Sequence, residues 1–335
     1  MKALRGAFHI AANFFARQLQ CARTGGSAAR RAGILLLAAA FGALALLSLA
    51  GVGSAWLPAL ETFATLQFHF ALAAAILSGA GLMLRWKPGA MAAAAVLAAN
   101  LGVVAYRSAP VDTCTVQAAA TGQHVLRLMT LNIWAPNHDF AAVERVLAQH
   151  RPDVVVLQEL RPHQRDLLAG LRATYPHQAF CDAHPDCGIA ILSRMPLEPH
   201  RMTGGEDVAV LESAVTIDDQ RLVVLGAHLH RPFAGRDQYD QFRALTHAVA
   251  KLPGNAIVAG DFNSVPWAPN MAHYAAGAGV CASNSSHATW PVWMGPFGVP
   301  IDHIFLKDGV RLLSIATVSG TGSDHKAVLA TLGLP

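Results

Sequence analysis

The sequence predicts a C-terminal α/β sandwich of mixed β-sheets, preceded by three transmembrane helices. A composition that is 53% hydrophobic, with a mean hydropathy of +0.35, is too apolar for a wholly soluble protein. Three runs without Lys, Arg, Asp or Glu, at residues 32–60, 62–84 and 88–106, can each cross a hydrocarbon core of about 30 Å as a helix. From residue 125 onward, short apolar runs alternate with a few amphipathic segments, which is typical of a globular α/β domain.

These patterns divide the chain into four regions. They are a cytoplasmic basic leader (1–31), a three-helix transmembrane anchor (32–108), a linker (109–124) and a globular domain (125–335). The leader is predicted to be either an amphipathic helix on the inner membrane surface or an unstructured segment. A cleaved signal peptide is the alternative for the first apolar run, but that run is far longer than the usual signal core of about 7–15 residues.

The distribution of Lys and Arg predicts how the anchor is oriented. Six basic residues precede the first apolar run, Arg85 and Lys87 separate the second from the third, and only Glu61 separates the first from the second. Because Lys and Arg favour the cytoplasmic side, we expect a multi-pass protein of the cytoplasmic (inner) membrane with its globular domain on the periplasmic, or extracytoplasmic, side. Arg107 is the one basic residue that opposes this orientation.

Charge differs sharply between the two parts of the chain. Residues 1–108 carry nine Lys and Arg against one acidic residue, a net charge of +8, whereas residues 109–335 carry sixteen against twenty, a net charge of −4. The overall charge of +4 therefore reflects membrane topology. The outer part lacks the basic excess that is typical of a strong nucleic-acid binder.

The globular domain is predicted to contain nine strands and three helices. The strands are expected at residues 125–132, 154–158, 189–193, 208–217, 221–228, 256–259, 301–305, 310–318 and 327–332. The helices are expected at residues 140–149, 163–173 and 237–251. Many strands with few helices indicate a two-layer α/β sandwich of mixed sheets.

Cysteine usage agrees with an outer location of the globular domain. Cys114, Cys181, Cys187 and Cys281 form an even set there, whereas Cys21 lies in the leader. We expect two disulfides, with the close pair Cys181 and Cys187 as the favoured bridge. Four cysteines permit three pairings, and a metal site made of Cys and His is the alternative.

Polar side chains follow or interrupt most of the predicted strands. In residues 257–264, Gly260 is expected to let the backbone turn, after which Asp261 and Asn263 alternate outward at strand spacing. A polar turn that merely closes a strand is the alternative interpretation of this stretch. The other polar residues of this kind are Asn132, Gln158, Glu159, His228, His230, Asp302, Asp324 and His325. Carboxylates, amides and imidazoles without thiolates suit Mg²⁺, Mn²⁺ or Ca²⁺ acting on a phosphate.

Seven short motifs, taken together, resemble the endonuclease/exonuclease/phosphatase family over about residues 125–335. They are Leu-Asn-Ile-Trp, Leu-Gln-Glu-Leu, Gly-Ile-Ala-Ile-Leu-Ser-Arg, Ala-His-Leu, Gly-Asp-Phe-Asn, Ile-Asp-His-Ile-Phe and Ser-Asp-His, in the order of the family. Three spans before such a domain resemble a bacterial membrane-bound subgroup. The resemblance implies a four-layer α/β sandwich, two packed mixed sheets flanked by helices, with the active site at one rim of the sheets.

The resemblance also implies a divalent cation and a water nucleophile. Glu159, helped by Asn132 and Asp324, would bind Mg²⁺ directly or through water, and Mn²⁺ or Ca²⁺ would also suit these ligands. The ion would neutralise a phosphate oxygen and the developing charge on the leaving group. Asp261 would orient or deprotonate the attacking water, and Asn263 would hold both the phosphate and that carboxylate.

Three further roles concern imidazole and guanidinium groups. Asp302 and His325 would form a dyad in which the carboxylate favours the protonated imidazole, so that His325 can donate to phosphate oxygens. His228 would contact the phosphate from the opposite side. His230 and Arg231 would bind a substrate phosphate or head group, with a structural salt bridge as the alternative.

An aromatic loop at residues 290–297 directly precedes Asp302. It is expected to border the active site. Hydrophobic packing is the favoured interpretation of its side chains, and contact with a membrane surface or a substrate base is the alternative.

We therefore expect a membrane-anchored, divalent-metal-dependent phosphoesterase that hydrolyses phosphodiester or phosphomonoester bonds by attack of water. Its substrate would be nucleic acid, a phospholipid head group or a small phosphate ester, its anchor would contact the lipid bilayer, and no protein partner is inferred. Nucleases of the family often have a second carboxylate where this chain has Trp134, a departure that favours a sphingomyelinase-like phospholipid diesterase over a DNA-specialised enzyme. A non-catalytic binding domain on the same fold and a transporter are the remaining alternatives.

The predicted orientation can be tested with a topology reporter. An enzyme that is active only in the periplasm, fused after Pro335, should be active in bacterial cells because three crossings from a cytoplasmic N-terminus end outside. The matched control is the same fusion after Lys87, which should be inactive. Activity only in the second fusion would contradict the orientation.

Overall fold

A computed structural model describes residues 27–109, 113–119, 123–181, 187–203, 210–234, 236–283 and 287–334. The described chain divides into two compact units, with the boundary between Tyr106 and Arg107. Residues 1–26 of the predicted leader lie outside the described residues, whereas Arg30 and Arg31 already belong to the first helix.

The first unit is entirely helical in its described part. Its α-helices are α1 (Ala28–Gly53), α2 (Glu61–Thr65), α3 (Gln67–Met83) and α4 (Lys87–Ser108), and a 3-10 turn (Pro58–Leu60) precedes α2. Helices α1 and α4 are each long and apolar enough to cross a membrane. The segment from the 3-10 turn through α3 bends by 51° and counts as a third such span only if the bent pair is one span.

A buried polar network links three helices of this unit. The Gln67 side-chain amide donates to Asn100 Oδ1 at 2.6 Å, and the Asn100 amide donates to Ser48 Oγ at 3.1 Å. These residues lie on α3, α4 and α1 and are at most 8% exposed. Interhelical hydrogen bonds of this kind hold helices together where apolar surface alone gives no preference among pairings.

The second unit contains twelve strands in its described residues. They are β1 (Val125–Asn132), β2 (Val154–Gln158), β3 (His177–Phe180), β4 (Ala190–Ser193), β5 (Arg201–Thr203), β6 (Val210–Ile217), β7 (Gln220–His228), β8 (Ala256–Asp261), β9 (Val280–Ala282), β10 (Asp302–Lys307), β11 (Arg311–Val318) and β12 (Ala327–Gly333). One six-stranded sheet has the order β11-β12-β1-β2-β4-β3, and the other has the order β5-β6-β7-β8-β10-β9.

Four α-helices accompany these strands. They are α5 (Phe140–His150), α6 (Arg165–Gly170), α7 (Arg236–Ala250) and α8 (Pro269–Ala278). Short 3-10 turns lie at Pro162–Gln164, Leu171–Ala173, Pro232–Ala234 and Val292–Phe297. The predicted helix at 163–173 is thus a short α-helix between two tighter turns.

The arrangement has four layers, as the family resemblance implies, and the two-layer expectation from the strand pattern is wrong. The inner faces of both sheets form one core that includes Val156, Val224 and Ile257. The outer face of the first sheet packs against α5 and α6. The outer face of the second meets α7 and α8, where the rings of Tyr274 and Phe305 lie 4.9 Å apart. Both sheets are therefore apolar on two faces, so each also needs a helical layer.

The sequence analysis located the long strands and missed short ones. Strands β1 and β2 begin and end at the predicted residues, whereas β3, β5, β9 and helix α8 were not predicted. Strands of three or four residues carry little periodicity, and among the described ones only β4 was located, within the predicted strand at 189–193. Helix α8 is formed largely by small residues, which weakens its amphipathic pattern.

Two disulfides fix the second unit. Cys181 pairs with Cys187, the favoured bridge of the sequence analysis, and Cys114 pairs with Cys281, so the four cysteines form no metal site. Cys114 also donates its backbone N–H to Ala282 O at 3.0 Å. The described part of the predicted linker is therefore attached to strand β9.

Candidate active site

The polar strand ends meet at one rim of the two sheets. Strands β1 and β2 are parallel, which places Asn132 beside Gln158, and β7 and β8 are parallel, which places His228 beside Asp261. Antiparallel β10 begins at the same rim, with Asp302 opposite Asp261. The carboxyl ends of neighbouring parallel strands always share an edge, so the topology gathers these side chains.

The predicted turn at Gly260 is wrong, because strand β8 continues through Asp261. Gly260 has a φ of 154°, and a Cβ there would collide with the carbonyl oxygen of Ala227 on β7. Asn263 lies beyond the strand with a φ of 47°, so Asp261 and Asn263 do not alternate along one strand as predicted. Position 260 therefore requires glycine because β7 and β8 approach too closely there for a side chain.

The Asp261 carboxylate is the centre of the site. The side-chain amide of Asn132 donates to Asp261 Oδ2 at 3.0 Å, and the backbone N–H of Asn263 donates to Asp261 Oδ1 at 2.8 Å. Nε2 of His228 lies 3.9 Å and Nε2 of His325 lies 3.8 Å from the same Oδ2. Asp261 is 1% exposed. Burial, together with the negative charge of Asp302, raises the pKa of Asp261 to about 7.

Glu159 lies beside this centre and is held as a carboxylate. The Asn132 amide donates to Glu159 Oε1 at 3.0 Å, and the backbone N–H of Ala135 donates to Oε2 at 2.9 Å. Burial by itself would raise the pKa of Glu159. These two hydrogen bonds and the nearby imidazoles of His228 and His325 outweigh burial and hold that pKa below its usual value.

Asp302 and His325 form the dyad that the sequence resemblance implies. Nδ1 of His325 lies 2.9 Å from Asp302 Oδ2, and both residues are at most 5% exposed. Burial by itself would lower the pKa of His325. The charge of Asp302 and its hydrogen bond, with further contributions from Asp261 and Asp324, raise that pKa to about 10. His325 therefore carries a proton on Nε2 at neutral pH.

His228 is the neutral imidazole of the site. Its Nε2 lies 3.9 Å from Glu159 Oε1 and 3.9 Å from Asp261 Oδ2. Burial lowers the pKa of His228 to about 4, although the carboxylate of Glu159 opposes this shift. The site thus holds one protonated imidazole, His325, and one neutral imidazole, His228, each within 4 Å of Asp261 Oδ2.

Asn132 and Asn263 orient the two central carboxylates. Asn132 uses its amide nitrogen for Glu159 and Asp261, and its Oδ1 accepts from the backbone N–H of Trp134 at 2.9 Å. The Asn263 amide donates to Leu229 O at 2.9 Å and lies 3.5 Å from Asp261 Oδ2. Both arrangements support the positions of the carboxylates, and the metal-ligand role of Asn132 stays a prediction.

Asp324 lies at the edge of the cluster. Its Oδ2 accepts a hydrogen bond from the indole N–H of Trp290 at 2.9 Å. Its Oδ1 is buried, has no hydrogen-bond partner among the described residues, and lies 3.9 Å from His325 Nε2. Buried carboxylate oxygens normally accept a hydrogen bond, and a bound cation would satisfy Asp324 Oδ1 in place of a donor.

His230 and Arg231 are exposed on the loop that follows β7. The backbone N–H of His230 donates to Gln241 Oε1 at 2.7 Å, which fixes the start of the loop. The charge of Arg231 contributes to the low pKa of His228. Their role in substrate binding stays a prediction.

Three residues just beyond catalytic strand ends have left-handed backbone conformations. Trp134, Glu159 and Asn263 have φ values of 64°, 60° and 47°. Non-glycine residues rarely adopt such values, and each instance costs on the order of 1–3 kcal/mol. Strain of this kind concentrates at functional sites, where surrounding contacts maintain it.

Ser323 also supports the site, because its Oγ donates to Asn132 O at 2.7 Å and accepts from the backbone N–H of His325 at 3.0 Å, which joins the last loop to β1. Sequence reasoning missed two other supporting groups, the backbone N–H of Ala135 and the indole of Trp290. Position in the aromatic loop was the one available signal for Trp290. The expected hydrophobic packing of that loop is wrong for Trp293 and Phe297, which are 81% and 53% exposed.

Comparisons with known proteins agree with the fold described above. A model of the endonuclease/exonuclease/phosphatase family matches residues 129–325. A Drosophila melanogaster protein that carries the provisional name of neutral sphingomyelinase is 26% identical over 272 residues, which covers 62% of this chain and 61% of that protein. The chain thus spans about three fifths of the length of this curated relative.

Solved structures share the fold. An endonuclease/exonuclease/phosphatase from Beutenbergia cavernae has a TM-score of 0.52 and 23% identity, covering 63% of this chain and 72% of that one. TDP2 from D. rerio, complexed with a single-strand DNA product, has a TM-score of 0.51 and 20% identity, covering 62% and 98% of the two chains. The family match spans more than half of the sequence, and the chain therefore belongs to the endonuclease/exonuclease/phosphatase family.

Proposed function

We propose that this chain is a membrane-anchored, divalent-metal-dependent phosphoesterase that hydrolyses phosphodiester or phosphomonoester bonds by attack of water. The carrying observation is the convergence of Asn132, His228 and His325 on Oδ2 of Asp261. A non-catalytic binding domain would have no need to keep a buried carboxylate with a pKa of about 7 among these groups. Membership of a phosphoesterase family supports the proposal.

The residues present fit a divalent cation. Glu159, His228 and Asp261 place possible ligand atoms within 4.8 Å of one another, and so do Asp261, Asp302 and His325. The buried Oδ1 of Asp324, which has no hydrogen-bond partner among the described residues, lies 3.9 Å from His325 Nε2. Glu159 and Asp324 would hold the ion, helped by Asn132, and oxygen ligands of this type suit Mg²⁺, Mn²⁺ or Ca²⁺. When bound, such an ion supplies charge neutralisation at the phosphate and the leaving group.

Asp261 is the proposed base. A pKa of about 7 lets its carboxylate accept a proton from water near neutral pH, which is the condition for efficient general base catalysis. Asn263 fixes the orientation of that carboxylate through its backbone N–H. No covalent enzyme intermediate is needed, because water itself attacks the phosphorus.

His325 and His228 are proposed to bind phosphate oxygens. His325 is protonated and directs Nε2 toward the centre of the site, since Asp302 takes Nδ1. His228 is neutral, and its Nε2 lies 3.9 Å from Asp261 Oδ2. Hydrogen bonds from the two imidazoles would stabilise the charge that develops in the transition state. The exposed His230 and Arg231 would contact the remainder of the substrate.

Membrane anchoring and an outer location are part of the proposal. Two helices, or three if the bent pair is one span, have the length and apolar composition for crossing a membrane. The Lys and Arg distribution and the two disulfides support placement of the catalytic unit on the periplasmic side of the inner membrane.

A phospholipid head-group diesterase is the favoured candidate within this class. The Drosophila relative carries a sphingomyelinase name, and the outer part of the chain is acidic, which does not suit a nucleic-acid duplex. Trp134 occupies the position at which nucleases of the family often have a second acid.

Substitutions at the site should separate catalysis from folding. With full-length protein in detergent micelles and bis-p-nitrophenyl phosphate, Asp261→Asn and His325→Ala should each lower kcat about 10²–10⁴-fold, because a positioned proton acceptor or donor is lost. EDTA should abolish turnover, and added Mn²⁺ should restore it. His247→Ala, at an exposed position on α7, is the matched control. Wild-type rates in Asp261→Asn, or turnover that resists EDTA, would contradict the proposal.

A substrate panel should identify the subclass. Sphingomyelin in mixed micelles and plasmid DNA are each offered to the full-length protein with Mg²⁺. The acidic outer part and the replacement of the second acid by Trp134 predict release of the choline phosphate head group and little DNA cleavage. Efficient cleavage of DNA without head-group release would reject the lipid assignment and favour the nuclease alternative.

A further inference from the structure

The segment at residues 289–292 is hydrogen bonded to both acidic residues that flank His325. Thr289 Oγ1 accepts from the backbone N–H of Asp302 at 3.3 Å, and Thr289 O accepts from the N–H of Lys326 at 2.9 Å. The N–H of Val292 donates to Asp324 O at 2.8 Å. The indole N–H of Trp290 completes the set by donating to Asp324 Oδ2 at 2.9 Å. One short segment therefore fixes the Asp324 main chain and one of its carboxylate oxygens.

This arrangement differentiates the two oxygens of Asp324. Oδ2 is occupied by a group that can only donate, since an indole N–H has no acceptor function. Oδ1 is buried without a hydrogen-bond partner among the described residues and lies 3.9 Å from His325 Nε2. Rotation of the carboxylate would break the bond to Trp290. The bond thus keeps Oδ1 directed toward the catalytic cluster.

We propose that Trp290 is a positioning residue that holds Asp324 in the orientation required to bind the divalent cation. The proposal rests on the metal dependence proposed above. Hydrogen bonds to a ligating carboxylate orient it and tune its affinity, and their loss typically costs about 10–100-fold in metal affinity or activity. Trp290 does not touch the reacting atoms, so it acts through Asp324.

Packing is the alternative role for this side chain. The rings of Trp290 and His325 lie 6.3 Å apart between centroids, at an angle of 44°. Phenylalanine keeps an aromatic ring beside His325 but has no N–H. Trp290→Phe therefore separates the hydrogen bond from the packing.

The test is Mn²⁺ binding to full-length protein in detergent micelles, followed by electron paramagnetic resonance. Trp290→Phe should raise the Kd for Mn²⁺ about 10–100-fold. Trp293→Phe is the matched control, because Trp293 is 81% exposed in the same loop, and it should leave the Kd unchanged. In an Asp324→Ala background, Trp290→Phe should have no further effect, because the side chain that accepts its hydrogen bond is already absent.

The outcomes separate the proposed metal dependence from the proposed role of Trp290. Wild-type protein that binds no Mn²⁺ would overturn the metal dependence together with this inference. If the wild type binds Mn²⁺ and Trp290→Phe binds it with the same Kd, only the role of Trp290 is overturned.

A second measurement covers a Trp290→Phe protein that does not fold. The chain has six Trp, so ¹⁵N labelling of Trp gives six indole resonances. One of them should move both on Asp324→Asn and on addition of Mg²⁺ to the wild type. If none of the six indole resonances shifts in both experiments, the proposal is contradicted.

Discussion

The buried carboxylate of Asp261 is the constraint on which the rest of the site depends. A carboxylate removed from water is costly unless hydrogen bonds and opposite charges compensate. Its partners come from both sheets, since Asn132 ends β1 of one sheet and His228 ends β7 of the other. The two sheets must therefore pack in one register at this rim for Asp261 to be accommodated.

The negative charge of Asp302 changes the pKa values of two neighbouring groups. Asp302 raises the pKa of both Asp261 and His325, because a negative charge disfavours ionisation of one and favours protonation of the other. The result is a carboxylate that titrates near neutrality beside an imidazole that stays protonated. Separation of pKa values among adjacent groups is how one site supplies both functions.

Sequence patterns located the polar strand ends better than the groups that support them. Long apolar strands with polar ends identify Asn132, Glu159, Asp261 and Asp302. Parallel pairing of β1 with β2 and of β7 with β8, together with the start of antiparallel β10 at the same edge, brings them to one rim. The N–H of Ala135 and the indole of Trp290 depend on how separate loops pack, which periodicity does not encode. Gly260 was misjudged because its requirement comes from Ala227 on a neighbouring strand. The four layers followed from the family resemblance, since the strand pattern alone gave two.

The position of the bound cation is the decisive measurement. Crystals of the full-length protein soaked in Mn²⁺ would be measured at the manganese absorption edge. We expect an anomalous peak within coordination distance of carboxylate oxygens of Glu159 and Asp324. A peak elsewhere, or ordered Glu159 and Asp324 side chains without a peak, would contradict the assignment of this rim as the catalytic centre.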